Sequence, residues 1–291
     1  MFEGSYVALV TPFYPDGSVN FEKLKQLCQW HVENGTDGLV VLGTTGESST
    51  TDAEEDAAIV RCCVDAIGGR IPVIAGGGSN CTETSLAKSR TFRDLGADGL
   101  LLITPYYNKA NQKGMYRHFA TVAEAVQLPI ILYNVPGRTG CSLSVECVEA
   151  LSRLQNVRGI KEASGNISYT AKIARLISDE FVLLSGNDDM TVPILALGGV
   201  GVISVFANIC PRQTHEMVAA YLAGDTKRAR ELQLRYLELI NALFVEVNPI
   251  PVKHAMNLLG MEVGPCRLPL CEMEDKNLET LKNTLRILEE A

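Results

Sequence analysis

Dense clusters of lysine and arginine are absent from this sequence of 291 residues, whose formal net charge is −8. Without such clusters the chain cannot follow a phosphate backbone, so we expect no nucleic-acid partner. The acidic balance also disfavours binding to an anionic membrane surface. An acidic protein that acts on small anions needs local positive charge, so a lysine or arginine in a pocket is informative.

A long hydrophobic segment is lacking as well. Residues 192–207 are uncharged, but they include Pro193 and several glycines and are fewer than the roughly 20 that a membrane span requires. The start of the chain carries Glu3, and its apolar stretch ends at Thr11, which does not fit a secretory signal peptide. We therefore expect no membrane segment and a cytoplasmic location.

Patterns of metal and cofactor ligands are also missing. The nine cysteines are odd in number and include no Cys-x-x-Cys pair, so neither a disulfide framework nor a structural zinc site is predicted. The four histidines show no ligand spacing, and no apolar run is followed by a Gly-x-Gly-x-x-Gly or P-loop pattern. We predict no metal, no cofactor, and reduced thiols of the kind found in the cytoplasm.

Eight short apolar runs recur along the chain, with amphipathic stretches between them. Continuous apolar runs are typical of parallel strands that are covered on both faces. Eight such βα units predict an α/β fold with a closed (β/α)8 TIM barrel; the alternative is an open doubly wound sheet. The predicted strands are residues 6–10, 38–42, 72–75, 99–103, 130–133, 157–160, 181–184 and 201–205.

Helical patterns occur between the predicted strands and throughout the last part of the chain. Asp52 precedes acidic residues in the pattern of a helix N-cap, and Gly96 follows Leu95 as a helix stop. After Gly224 the strand pattern ends, and residues 225–243, 252–259 and 277–290 have helical patterns punctuated by prolines. We predict a catalytic barrel over residues 1–224 and a C-terminal helical subdomain over residues 225–291.

Lys161 directly follows the sixth apolar run, where barrel enzymes place their functional residues. Burial disfavours the ammonium form, so a lysine at this position can present a neutral amine that attacks a ketone and forms an imine. The alternative is a lysine that reaches solvent or pairs with a carboxylate such as Glu162.

Two other predicted strand ends, the second and the fifth, carry polar groups that suit the same pocket. Tyr133 can relay protons, or it can simply pack in the barrel mouth. The segment Gly43-Thr44-Thr45-Gly46 can bind a small carboxylate, or it can be a plain glycine-rich turn; Glu47 is predicted to order this loop rather than to transfer protons. Arg138 can hold a second carboxylate in a bidentate way, or it can lie on the surface.

Together these motifs resemble the signatures of the dihydrodipicolinate synthase family, within the wider N-acetylneuraminate lyase superfamily. The resemblance covers nearly the whole chain. It implies a lyase that condenses pyruvate with L-aspartate 4-semialdehyde to give 4-hydroxy-tetrahydrodipicolinate in diaminopimelate and lysine synthesis, without a cofactor, as a dimer-of-dimers homotetramer. The matching segments are Gly43-Thr44-Thr45-Gly46-Glu47, Tyr133-Asn134-Val135-Pro136-x-Arg138-Thr139-Gly140 and Gly159-Ile160-Lys161-Glu162-Ala163.

The resemblance also implies a role for each site residue. Lys161 forms the pyruvate imine, and Tyr133, Thr44 and Tyr107 relay protons, with Tyr107 reaching in from a neighbouring subunit. The remaining roles concern substrate binding: Thr44 and Thr45 hold the pyruvate carboxylate, Arg138 holds the semialdehyde carboxylate, and backbone groups of Gly186 and Ile203 line the pocket.

Two alternatives within the superfamily stay open at this point. One is a sister aldolase that cleaves N-acetylneuraminate or a keto-deoxy sugar, which the Arg138-Thr139 pair disfavours. The other is a pyruvate-binding protein without catalysis, which the complete set of Lys161, Tyr133, Thr44 and Tyr107 disfavours.

Relatives that are inhibited by lysine bind it at a dimer interface, and this chain matches that site only in part. Ser48, Asn80 and Tyr106 fit the pattern. Thr84 departs from it, because sensitive members typically carry a glutamate there, and Asp56 stands where a histidine is common. We predict weak inhibition by lysine, or none.

Overall fold

The computed structural model describes residues 2–289. Within them, eight parallel strands pair in chain order and β8 pairs back with β1, which closes a barrel. The strands are β1 (Gly4–Ala8), β2 (Gly38–Val41), β3 (Val73–Gly76), β4 (Gly99–Ile103), β5 (Ile130–Asn134), β6 (Val157–Glu162), β7 (Val182–Ser185) and β8 (Gly201–Ser204).

Helices surround the barrel and continue beyond its last strand. In chain order they are α1 (Phe21–Glu33), α2 (Ala53–Ile67), α3 (Thr82–Asp94), α4 (Gln112–Val126), α5 (Pro136–Thr139), α6 (Val145–Ser152), α7 (Ile167–Ala174), α8 (Thr191–Ala196), α9 (Pro211–Leu222), α10 (Thr226–Arg235), α11 (Leu237–Ala242), α12 (Ile250–Leu258) and α13 (Asp275–Leu285). Short 3-10 turns cover Asp188–Met190, Phe206–Asn208 and Arg286–Leu288.

The predicted (β/α)8 barrel with C-terminal helices is confirmed, and the differences lie at element ends. Strand β6 continues through Lys161 and Glu162, because these residues pair with β5 and β7. The predicted helix 225–243 is two helices that meet at Tyr236. Residue 290 of the last predicted helix lies outside the described residues, as do residues 1 and 291 of the predicted units. The division into those two units stays a prediction.

The predicted helix boundaries have the expected chemistry. The Asp52 side chain accepts hydrogen bonds from the backbone N–H groups of Glu54 and Glu55, and the Glu55 carboxylate accepts one from the Asp52 N–H. This reciprocal capping box satisfies donors that a helix start leaves unpaired. Gly96 follows α3 with a φ of +87°, the left-handed conformation that ends a helix.

Alternating residues of the strands build two apolar layers. Val40 of β2 points into the barrel with Ile74, Leu101, Ile131 and Leu184, whereas its neighbours Leu39 and Val41 pack in the outer layer with the helices. Filled in this way, the barrel interior is a packed core and not a pore, so a binding site must lie at an end. Among residues 2–289, every helix is too short or too polar to span a lipid bilayer.

Candidate active site

A cavity of about 170 Å³ opens at the carboxyl ends of the strands. Lys161 and Arg138 are the charged residues on its wall, and no carboxylate within residues 2–289 lines it. The cavity is therefore electropositive inside an acidic protein, as expected for a site that takes small anions. Six of the eight predicted site residues line it: Thr44, Thr45, Tyr133, Arg138, Lys161 and Gly186.

Lys161 and Tyr133 lie side by side at the base of this cavity. They are direct partners across β5 and β6, and the Nζ of Lys161 lies 4.3 Å from the centre of the Tyr133 ring. Both side chains are 6% exposed. A Cβ on Gly186 would lie 3.0 Å from the Cε of Lys161, so a glycine here leaves room for the lysine side chain.

The alternative pairing of Lys161 with Glu162 does not occur. Successive residues of a strand point to opposite sides, and Glu162 accordingly turns away from the cavity. Its carboxylate accepts hydrogen bonds from the Asn134 side-chain amide at 2.8 Å and from the Ser164 N–H at 2.7 Å. Burial raises the pKa of Glu162, and these two bonds oppose that shift. The amine of Lys161 is thus left facing the cavity.

The Thr44-Thr45 loop is a tight turn with an unusual backbone at both ends. Leu42 and Glu47 have positive φ angles of 54° and 55°, which L-residues adopt rarely and at a cost. The loop packs directly on β3, because a Cβ on Gly76 would lie 2.0 Å from the Leu42 carbonyl oxygen. Gly76 therefore has a structural role.

Arg138 lies at the cavity mouth on the short helix α5. Its Nη2 donates to the backbone carbonyl of Asn248 at 3.1 Å. The Asn248 side-chain amide donates to Thr45 Oγ1 at 3.0 Å, so Asn248 contacts both predicted carboxylate-binding elements. The two predicted carboxylate-binding elements and the amine of Lys161 thus line one cavity.

Two predicted residues lie outside this cavity. Tyr107 is 89% exposed and has a φ of +72°. It does not line the cavity formed by residues 2–289 of a single chain. Ile203 is buried in the barrel interior, in the same apolar cluster as Tyr133, and Val205 lines the cavity instead.

Two further residues shape the site, and no role had been predicted for either of them from the sequence. Asp188 is buried; its carboxylate accepts hydrogen bonds from the Ser204 hydroxyl, from the Val205 N–H at 2.9 Å and from the Phe206 N–H at 3.1 Å. Burial raises the pKa of Asp188, and these donors oppose the shift. Because Asp188 follows the end of β7, its position in the sequence could have indicated a place near the site. No such pattern marks Asn248, because it lies in the helical C-terminal segment.

A second cavity of about 550 Å³ shares the wall formed by Thr44, Tyr133 and Arg138. Ser48, Tyr106 and Thr84 line it, whereas Asn80 lies outside and accepts a hydrogen bond from Asn108 through its carbonyl. Lys88 is the other cation on its wall, paired with Asp56 at 2.9 Å. No carboxylate within the described chain lines this cavity, and residues 2–289 hold no cluster suited to a metal ion.

Comparisons with known proteins agree with this geometry. The model of the dihydrodipicolinate synthetase family matches residues 1–288. The 4-hydroxy-tetrahydrodipicolinate synthase 1 of Clostridium acetobutylicum is 54% identical over 98% of this chain and 97% of its own.

Two solved structures are similar over their full length. Dihydrodipicolinate synthase from Aquifex aeolicus has a TM-score of 0.97 and 44% identity, covering 99% of this chain and 98% of the other. The chloride-inhibited enzyme from Acinetobacter baumannii, complexed with pyruvate, has a TM-score of 0.97 and 41% identity, covering 99% of each chain. The motif-based prediction is confirmed: this chain belongs to the dihydrodipicolinate synthetase family.

Proposed function

We propose that this chain condenses pyruvate with L-aspartate 4-semialdehyde to give 4-hydroxy-tetrahydrodipicolinate, on the way to diaminopimelate and lysine, through an imine on Lys161. One observation carries the proposal: a buried lysine amine lies beside the Tyr133 ring in a cavity whose other charged residue is Arg138. One amine and one guanidinium suit a pair of small carboxylates, one of which also carries a ketone. Relatives named 4-hydroxy-tetrahydrodipicolinate synthase match nearly the whole chain.

The chemistry follows from the amine. The Nζ of Lys161 attacks the ketone carbon of pyruvate, and loss of water gives the imine. The imine makes the methyl protons more acidic, so loss of one gives an enamine. The enamine carbon then attacks the aldehyde carbon of the second substrate. Attack of that substrate's amino group on the imine carbon closes the ring and frees Lys161 for another cycle.

Proton transfers in these steps need a donor and acceptor beside the amine. The contact of the Tyr133 ring with the Lys161 amine supports this role for Tyr133, and Thr44 lines the same cavity. Tyr107 would complete the relay from a neighbouring subunit, which is consistent with its 89% exposure in the single chain. On the family resemblance we also propose a homotetramer, in which sites are shared across an interface.

Substrate binding is divided between two walls of the cavity. Thr44 and Thr45 are proposed to hold the pyruvate carboxylate, because their loop is fixed next to Lys161. Arg138 at the mouth is proposed to bind the semialdehyde carboxylate. Backbone groups of Gly186, on the wall, and of Ile203, below it, are proposed to contact the imine intermediate.

A coupled assay with defined substrates tests the proposed reaction. Turnover is expected with pyruvate plus L-aspartate 4-semialdehyde, and not with N-acetylneuraminate. Cleavage of N-acetylneuraminate in place of the condensation would favour the sister aldolase. Pyruvate binding without turnover of either kind would favour a non-catalytic binding protein.

Cellular location and domain organisation are also proposals. We propose a cytoplasmic enzyme, supported by nine cysteines that are all free in the described chain. We propose a barrel unit over residues 1–224 and a helical unit over residues 225–291, supported by the change from βα units to helices alone after α9.

A further inference from the structure

A buried ion pair joins the Thr44-Thr45 loop to the C-terminal helices. The Nζ of Lys253, on α12, lies 2.8 Å from Glu47 Oε1, and each side chain is 1% exposed. Glu47 is the residue with positive φ that ends the loop. The two residues are 206 positions apart, so the contact connects the barrel mouth to the end of the chain.

Every polar group of this pair has a partner. The Lys253 ammonium donates to Glu47, to the Thr11 carbonyl at 2.9 Å and to the Pro265 carbonyl at 2.6 Å. Its three N–H donors are thereby used. The other carboxylate oxygen of Glu47 accepts a hydrogen bond from the backbone N–H of Arg267 at 2.9 Å. With both carboxylate oxygens engaged and no exposure to the cavity, Glu47 is not available to transfer protons to a substrate.

The surrounding contacts extend this connection along the loop. The Arg267 guanidinium donates to the Thr50 carbonyl at 2.7 Å and forms a two-pronged contact with Glu55 at 2.7 and 2.5 Å. Asn248 holds Thr45 from the other side at 3.0 Å. Three residues of the C-terminal segment thus fix a loop that lies about two hundred positions earlier.

A buried ion pair is a costly way to gain stability, because both charges lose their hydration. Apolar residues of similar volume usually stabilise a fold as well or better. An ion pair whose donors and acceptors are all hydrogen-bonded instead favours a single local geometry, because each charge needs its partners at fixed distances. Here the fixed element is the turn that presents the hydroxyls of Thr44 and Thr45 to the cavity.

We propose that Glu47 and Lys253 are positioning residues that hold the Thr44-Thr45 loop in the conformation that binds the pyruvate carboxylate. The inference rests on the proposed function, because it assigns that carboxylate to this loop. It predicts that the C-terminal helices contribute directly to affinity for the first substrate. Affinity for the semialdehyde, assigned to Arg138, should depend on the pair much less.

The test measures both Michaelis constants in Lys253→Met and Glu47→Gln. A loop displaced by about 1 Å can cost up to about 100-fold in efficiency, so the KM for pyruvate should rise about 10- to 100-fold. The KM for the semialdehyde should change by less than about threefold. The double variant, with neither charge, should lose less than the product of the two single effects, because no unpaired charge remains buried.

A matched control separates positioning from general stability. Leu281→Ala removes a fully buried side chain from α13 in the same C-terminal segment and should lower the melting temperature while leaving the pyruvate KM unchanged. If Lys253→Met does not fold, the pyruvate KM of Glu47→Gln alone tests the proposal, because this substitution keeps the side-chain volume. Unchanged pyruvate KM in folded Glu47→Gln would overturn the proposal. Failure of the wild-type chain to form a pyruvate adduct would instead overturn the proposed function.

Discussion

Replacement of Arg138 by alanine tests the division of the cavity into two anion sites. Within residues 2–289 the guanidinium makes one hydrogen bond, to the Asn248 carbonyl, which leaves most of its N–H donors for a ligand. A charge-assisted hydrogen bond contributes about 1.5–3 kcal/mol. Because Arg138 is exposed at the mouth, we expect its contacts to contribute about 2 kcal/mol to the binding free energy of the semialdehyde, which is equivalent to about 30-fold in affinity.

Initial rates with each substrate varied in turn give the two Michaelis constants. Arg138→Ala should raise the KM for L-aspartate 4-semialdehyde about 30-fold and the KM for pyruvate by less than about threefold. Arg138→Lys should be intermediate, because it keeps the charge without the planar fork. Arg153→Ala is the control, since Arg153 is an exposed arginine that pairs with Glu149 on α6. Equal effects of Arg138→Ala on both substrates would refute the assignment.

Three further predictions concern the interface, regulation and pH. Tyr107→Phe should lower turnover by about one to three orders of magnitude, and mixing it with Lys161→Ala subunits should restore activity if sites are shared; no recovery despite subunit exchange would contradict sharing. Lysine should not half-inhibit the initial rate below millimolar concentration, because no carboxylate of residues 2–289 lines the second cavity to bind its ammonium groups and Asp56 is already paired with Lys88; submillimolar inhibition would contradict this. Burial lowers the pKa of His31 to about 3, so stability should fall by up to about 1.4 kcal/mol per unit as pH drops below about 6.5, and His31→Gln should reduce that slope in acid unfolding experiments; an unchanged slope would contradict it.

The barrel was predictable because its signals are local. A strand covered on both faces must be apolar throughout, and the eight apolar runs each became a strand. Lys161, Tyr133 and Thr44 could be predicted to share a cavity because parallel strands bring their carboxyl ends to one side, so each polar residue after an apolar run was a candidate. The strand ends were harder to predict. In β6, for example, the apolar pattern stops at Ile160, whereas the pairing with β5 continues to Glu162.

Contacts between distant segments left no local pattern to detect. Asn248 and Lys253 lie more than two hundred positions from the loop residues that they contact. Lys253 sits on α12 among apolar neighbours, and only the folded chain shows that its ammonium reaches Glu47. The proposed part of Tyr107 in proton transfer would likewise depend on a neighbouring subunit, and a local sequence pattern does not reveal such a contact.

Reductive trapping with pyruvate shows whether Lys161 forms the imine. Borohydride reduces an imine to a stable amine, so treatment in the presence of pyruvate should add one adduct to the chain. Peptide mass mapping should place it on Lys161, and Lys161→Ala should show neither adduct nor turnover while keeping its fold. An adduct on another lysine, or no adduct in an active enzyme, would contradict the account.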